Sequence, residues 1–325
     1  MRIYFNDDYA ASECARETTR KAVAIAAHLR NARYDGIELM DPAREDFELT
    51  AEEIGIPGVF GATGSIFFDE TANDSIGAIH DPRYVRAVKG GTPRTLAESN
   101  GFPWDPGMHR MAHAHIMGLV AATSHVLGCG TTAGTLSSGL HHAGWSGGKG
   151  NCTYNGLAAA AYHAITHKEV DRILILDFDA HCGGGTWDIV QRLFPDKVVQ
   201  VDVSTAMYDT WTPTGSSILR FSHPTDYMTD IESALDHARG LGSFDLVLYN
   251  AGMDPINGGV DPYIVKMRER AVRDFIDRTP AVFALAGGYF WGGHTMDDIV
   301  DWHMMTVREW AGIDEMTFGH PDRSE

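Results

Sequence analysis

The chain has 325 residues, 44% of them hydrophobic, and a formal net charge of −18. That length supports one large α/β domain or two small ones with a substantial core. The charge argues against nucleic acid as a partner and favours cationic ligands, although an acidic balance is also ordinary for soluble proteins. No apolar run approaches the roughly 18 residues that a membrane helix needs, so no membrane partner is expected. The opening MRIYFNDDYA lacks a basic segment followed by an apolar one and reads as no secretory signal. Cys14, Cys129, Cys152 and Cys182 are widely spaced without a CxxC pair, which points to reduced thiols and a cytoplasmic location.

In chain order, IYF near the start reads as a short strand, and CARETTRKAVAIAAHLRNARY carries helical periodicity. Residues 42–108 are rich in Gly, Pro and Asp. They read as surface loops and short helices, DPRYVRAVK among them, packed on the same domain. MHRMAHAHIMGLVAATSHVL predicts a helix ending near Gly128, and NGLAAAAYHAITH a second. Three apolar strands follow: RILILDFD, FDLVLYNAG and AVFALAGG. The helical segments TWDIVQRLF and YIVKMRERAVRDFID alternate with them. Such alternation predicts a parallel sheet flanked by helices on both faces. No repeat or linker divides the chain, so residues 1–325 read as a single domain.

Ligands bind open α/β sheets beyond the C-terminal ends of the strands. All three strands run into unusual residues at that end. The first gives Asp177, Asp179 and His181; the second gives Asn250 and Asp254; the third gives Gly287, Gly288 and Tyr289. One such strand can be chance, whereas three point to a single crevice.

Alternate residues of an extended segment point the same way, so Asp179 and His181 can reach one point, with Asp254 as a third ligand. Two carboxylates and an imidazole suit Zn(II), Fe(II) or Co(II) with a position left open. An open position serves hydrolysis, because the metal acidifies water and polarises a carbonyl. Proton transfer needs a further group. GLHHAG supplies His141 and His142, and histidine titrates near neutral pH. Tyr289 can donate a hydrogen bond to a developing oxyanion.

Each fragment has a plainer reading. A lone HH pair is usually a surface or capping feature, and Asp254-Pro255 alone would be a turn. His109, His113 and His115 lack an acidic third ligand or an HExxH pattern and read as structural. Cys182 gives no case for a nucleophile.

The blocks SSGLHHAG, GNCTYNGLAAAA, ILILDFDAHCGGGT, LVLYNAGMDP and LAGGYFWGG, over roughly residues 137–295, are similar in kind and order to those of the histone deacetylase superfamily, including the bacterial acetylpolyamine amidohydrolases. HDPRYVRAV extends the resemblance more loosely. It implies a three-layer α/β fold of the arginase–deacetylase type. Asp179, His181 and Asp254 then resemble the ligands of one catalytic zinc. His142 resembles the general base and acid, and His141 its electrostatic neighbour, paired with Asp177. Asp177 and Ser204 resemble residues of a structural potassium site. Tyr289 resembles the tyrosine that polarises the scissile carbonyl. Gly150 resembles a glycine of the substrate tunnel, with Gly287 and Gly288 nearby. Relatives occur as monomers, dimers and tetramers, so the resemblance leaves a homo-oligomer open.

Three departures stand out. The family usually writes HHGDG or HHGNG where this chain has HCGGG, so Gly184 occupies the position of the carboxylate or amide that would orient the second histidine. Asn151 replaces the usual Phe after the tunnel glycine. The loop TAMYDTWTPTGSS aligns poorly and puts Trp211 and Thr212 near the second tunnel wall. The main expectation is a zinc-dependent amidohydrolase that removes an acetyl or other acyl group from an acyl-lysine, an acylpolyamine or a small-molecule amide. A non-catalytic, metal-containing acyl-binding protein is the alternative that Gly184 keeps open. A binuclear manganese ureohydrolase is disfavoured, because its DAHxD motif meets a glycine at position 183.

Overall fold

The computed structural model describes residues 1–44 and 64–313. Part of the loop region expected at 42–108 lies outside the described residues. The strands are β1 (Arg2–Tyr4), β2 (Glu38–Met40), β3 (Thr132–Thr135), β4 (Ile173–Asp177), β5 (Val198–Ser204), β6 (Ile218–Phe221), β7 (Leu246–Gly252) and β8 (Ala281–Ala286). They form one sheet in the order β2-β1-β3-β8-β7-β4-β5-β6, with every pairing parallel. IYF marks β1, and the three apolar strands read from the sequence, β4, β7 and β8, are neighbours at the centre of the sheet.

Their sequences explain that position. ILILD is buried at every residue, as a central strand covered on both faces must be. Leu174 and Leu176 pack with Val201, Val203, Val247 and Tyr249 against helices Glu17–Ala32, Tyr227–Gly240, Pro262–Ile276 and Met296–Ala311. Ile173 and Ile175 face the other way with Val198, Leu246 and Leu248. There they meet helices Gly64–Ile79, Pro82–Gly90, Gly107–Cys129, Gly156–His167 and Gly184–Leu193. The predicted three-layer architecture is therefore present.

Four strands escaped the sequence reading. β2, β3 and β6 have only three or four residues each. β5 carries Gln200 and Asp202, polar yet fully buried, so its composition hides its position. Helices Tyr227–Gly240 and Met296–Ala311 were also not anticipated.

Behind the crevice lies a buried ion pair. Arg268 and Glu269 are fully buried, and the Arg268 Nε donates to Glu269 Oε1 at 2.9 Å. Arg268 Nη1 also donates to the carbonyls of Phe178 (2.9 Å) and Gly252 (2.7 Å). These carbonyls immediately precede Asp179 and lie two residues before Asp254, so one guanidinium fixes both strand ends. Replacing Arg268 by Met strands the Glu269 carboxylate and takes a donor from both carbonyls, that of Phe178 keeping the Tyr227 hydroxyl at 2.9 Å. A loss of about 3–5 kcal/mol is expected, read by urea denaturation. Unchanged stability would show that these contacts do not brace the strand ends.

Candidate active site

Asp179 and His181 follow β4, and Asp254 follows β7. Their ligand atoms lie within 4.8 Å of one another. His181 Nδ1 is 3.1 Å from Asp179 Oδ1 and 3.3 Å from Asp254 Oδ2. Both carboxylates are buried. Burial and the neighbouring Asp179 raise the Asp254 carboxyl above its usual range. Burial opposes charge on His181, yet its contacts with both aspartates outweigh that and raise its imidazole to about 10. A proton on His181 thus sits between two carboxylates, a donor set that suits a divalent cation such as zinc. Asp254 is held by the Gly288 amide, which donates to Oδ1 at 2.7 Å. Gly287 has a φ of +69°, and a Cβ there would lie 2.4 Å from Asp254 Oδ1, so the backbone approach requires glycine.

His141 and His142 lie in the loop that leads from β3 to helix Gly156–His167. Asn155 caps that helix by accepting from the Ala158 amide at 2.9 Å and donates its own amide to Ala143 O at 2.8 Å, which ties the loop to the helix start. His141 Nδ1 is 2.6 Å from Asp177 Oδ2. Asn250 Nδ2 donates to the other Asp177 oxygen at 2.9 Å. Burial works against charge on His141, but Asp177 prevails and the imidazole rises to about 9. His142 is pushed the opposite way, to about 4, by burial and then by the charge on His141. At neutral pH the pair is therefore one imidazolium beside one neutral imidazole. His142 Nδ1 is 2.9 Å from Asp209 Oδ2.

Tyr289 follows the two glycines after β8. Its ring stacks on Trp291 at 4.5 Å between centroids. Burial and Asp254 raise its hydroxyl above the ordinary range, so it keeps its proton. A cavity of about 50 Å³ joins Tyr289 to His141, His142, Asp179, His181 and Asp254, with Gly150 and Asn151 on its wall. Asn151 Nδ2 donates to the Tyr289 hydroxyl at 3.4 Å. At the cavity base His115 Nδ1 meets Ser137 Oγ at 2.9 Å, and its Nε2 meets Tyr9 O at 3.0 Å, in keeping with a structural role. Lys21, fully buried, donates to Gly287 O at 2.8 Å. Burial lowers its ammonium to about 7 against the pull of Asp254 and Asp179.

Histone deacetylase domain sequences match residues 43–216, more than half of the chain. The chain belongs to the histone deacetylase domain family. The acetoin utilization protein AcuC of Bacillus subtilis is 33% identical over 136 residues, covering 39% of this chain and 34% of that protein. The human polyamine deacetylase HDAC10 is 30% identical over 138 residues, covering 39% of this chain and 20% of that protein. The chain thus spans well under two thirds of the length of these curated relatives. In overall shape it is similar to an acetylpolyamine aminohydrolase from Burkholderia pseudomallei, with a TM-score of 0.70, 15% identity, and coverage of 96% of this chain and 99% of that one. This likeness establishes the arginase–deacetylase fold.

The family match contains Asp177, Asp179, His181 and both histidines, whereas Asp254 and Tyr289 lie beyond it and are brought in by the fold. Two expected substrate contacts require correction. Trp211 does not line the cavity: it stacks on Trp187 at 4.2 Å, and its Nε1 donates to the buried Asp202 at 2.7 Å. Gly288 holds a carboxylate and does not line the cavity. The aromatic residue of that loop which reaches the histidines is Tyr208, whose ring centroid lies 5.0 Å from that of His142 and 5.6 Å from that of His181. The sequence reading also passed over Lys21 and Asp209. A buried lysine in an ordinary helical pattern gives no signal, and Asp209 sits in a loop whose alignment was unclear.

Metal and proton compete for His181. Because its imidazole is raised to about 10, zinc affinity should strengthen as pH rises from 6 to 9, by about tenfold per unit for each proton displaced. Chelator competition measures the slope. An affinity independent of pH would show that the cation binds elsewhere. His181→Ala should remove the bound metal, as counted by elemental analysis.

Proposed function

We propose that the protein is a zinc-dependent amidohydrolase that removes an acetyl or similarly small acyl group from an amine. The observation that carries this reading is the shared cavity. Two buried carboxylates and an imidazole converge on one side, a neutral histidine stands beside an imidazolium, and a tyrosine hydroxyl retains its proton. Asp179, His181 and Asp254 would hold the zinc, which supplies Lewis acidity toward water and a carbonyl when bound.

The remaining chemistry belongs to the side chains. His142, neutral near pH 7, accepts a proton from the attacking water and later delivers it to the leaving amine. His141, held charged by Asp177, adds positive potential beside the developing oxyanion. The Tyr289 hydroxyl donates a hydrogen bond to that oxygen, an interaction that strengthens as charge develops. The small cavity suits a short acyl group. The net charge of −18 and the polyamine deacetylase among the relatives favour a cationic amine, so an acylpolyamine or acyl-lysine ranks ahead of a neutral natural-product amide.

A structural potassium is part of the same reading. Ser204 Oγ is buried beside the Cys182 thiol and makes no hydrogen bond of ordinary geometry among the described residues. It ends β5 next to β4, which ends in Asp177. An oxygen donor left over beside a buried carboxylate fits a monovalent cation. The four cysteines, unpaired among the described residues, support a reducing, cytoplasmic setting.

One preparation should be assayed for bound metal and for turnover on acetyl-lysine peptides, acetylpolyamines and small acyl amides. One zinc per chain is expected, with amide cleavage that falls about 10²–10⁴-fold in His142→Ala and comparably in Tyr289→Phe. One zinc with no cleavage of any amide would favour the acyl-binding reading. Two manganese ions would move the protein to the ureohydrolases.

A further inference from the structure

The glycine at position 184 removes the side chain that would orient the second histidine, yet its space is filled. A Cβ built at Gly184 would fall 2.2 Å from the Asp209 carbonyl oxygen and 2.9 Å from both Cγ and Oδ1 of Asp209. Asp209 arrives from a different element, the loop between β5 and β6. Its Oδ2 meets His142 Nδ1 at 2.9 Å and accepts from the Gly185 amide at 3.2 Å. Its Oδ1 accepts from Lys149 Nζ at 2.6 Å. Both oxygens are therefore committed, and the side chain is only 10% exposed. We propose that Asp209 is the positioning residue for His142 and that Lys149 locks Asp209 in place. The proposal rests on the reading of His142 as the general base.

A loop aspartate paired with an exposed lysine is usually an incidental surface bridge of little consequence. Three observations set this one apart. The residue has a φ of +59°, a left-handed conformation that a non-glycine residue keeps only where its surroundings hold it. Burial would raise its carboxyl, yet His142 and Lys149 outweigh this and hold it below the ordinary carboxylate range, so that it stays charged. Lys149 is fixed at its other flank, with Nζ 5.0 Å from the centroid of the Tyr208 ring, so the loop carrying Asp209 also supplies that ring. The geometry assigns one tautomer. The Nδ1–H of His142 donates to Asp209, and the bare Nε2, on the side of Gly150, is left free to take a proton.

Nitrogen-15 NMR of the histidines, on the zinc-loaded chain, reads the tautomer directly. In Asp209→Ala the fixed Nδ1–H form of His142 should give way to a mixture, kcat should fall about 10–100-fold, and KM and zinc content should hold. Asp209→Asn keeps an acceptor and should recover much of the rate. Its acid limb of kcat/KM should move to lower pH, because the neutral amide no longer supports the protonated ring. Lys149→Met should give a smaller loss in the same direction. If Asp209→Ala does not fold, the acid limb in Asp209→Asn decides. A His142 tautomer unchanged in Asp209→Ala, or an unmoved acid limb in Asp209→Asn, overturns the assignment. Full activity in His142→Ala alongside a tautomer that does respond to Asp209 would instead overturn the base reading and leave the positioning contact standing.

Discussion

Everything at the C-terminal edge of this sheet answers to one cost, the burial of negative charge. Asp177, Asp179, Asp202 and Asp254 are all buried, and their strands are neighbours in the sheet. Carboxylates so close in a low-dielectric interior cannot remain ionised without compensation. The chain provides it in graded fashion. His141 is charged against Asp177, His181 bridges Asp179 and Asp254, and Lys21 sits beneath the cavity. A divalent cation at the triad, as proposed, would supply the remaining positive charge and complete the site electrostatically.

The same constraint explains the opposite behaviour of two adjacent histidines. Their ring centroids lie 4.0 Å apart, so only one can readily carry a proton. Asp177, bonded directly to His141 and steadied by Asn250, decides which. His142 is left neutral through that charge and its own burial. A neutral imidazole is thus prepared by its burial first and by its charged neighbour second.

What the sequence made legible was what strands dictate. The two-residue period after β4 put Asp179 and His181 together, and the apolar runs of β4, β7 and β8 announced a shared edge. Those strands are neighbours, which the sequence reading required and the pairing confirms. What stayed hidden lies on loops or in short elements. A poorly aligned loop put Trp211 near the second tunnel wall, but its indole N–H meets a buried acceptor in Asp202 and its ring stacks on Trp187. Tyr208, three residues earlier, was left facing the histidines. A loop fixes its side chains through contacts distant in sequence, and no periodicity reveals which residue of such a stretch turns inward.

The glycine at position 184 sharpens this lesson. Read along the chain, HCGGG is a motif that has lost a functional group. In space, the place of that group is occupied by an oxygen from Asp209. The chemistry requires an acceptor at His142 Nδ1 and is indifferent to the element that delivers it. Delivery from a loop does change the physics, because position 184 opens helix Gly184–Leu193 and is held by that helix, whereas Asp209 is held by Lys149, the Gly185 amide and a left-handed backbone. The orientation of His142 and the Tyr208 ring beside it then depend on one loop adopting one conformation. Disturbing that loop should alter proton transfer and the position of the Tyr208 ring together, where a carboxylate at the helix start would leave the two independent.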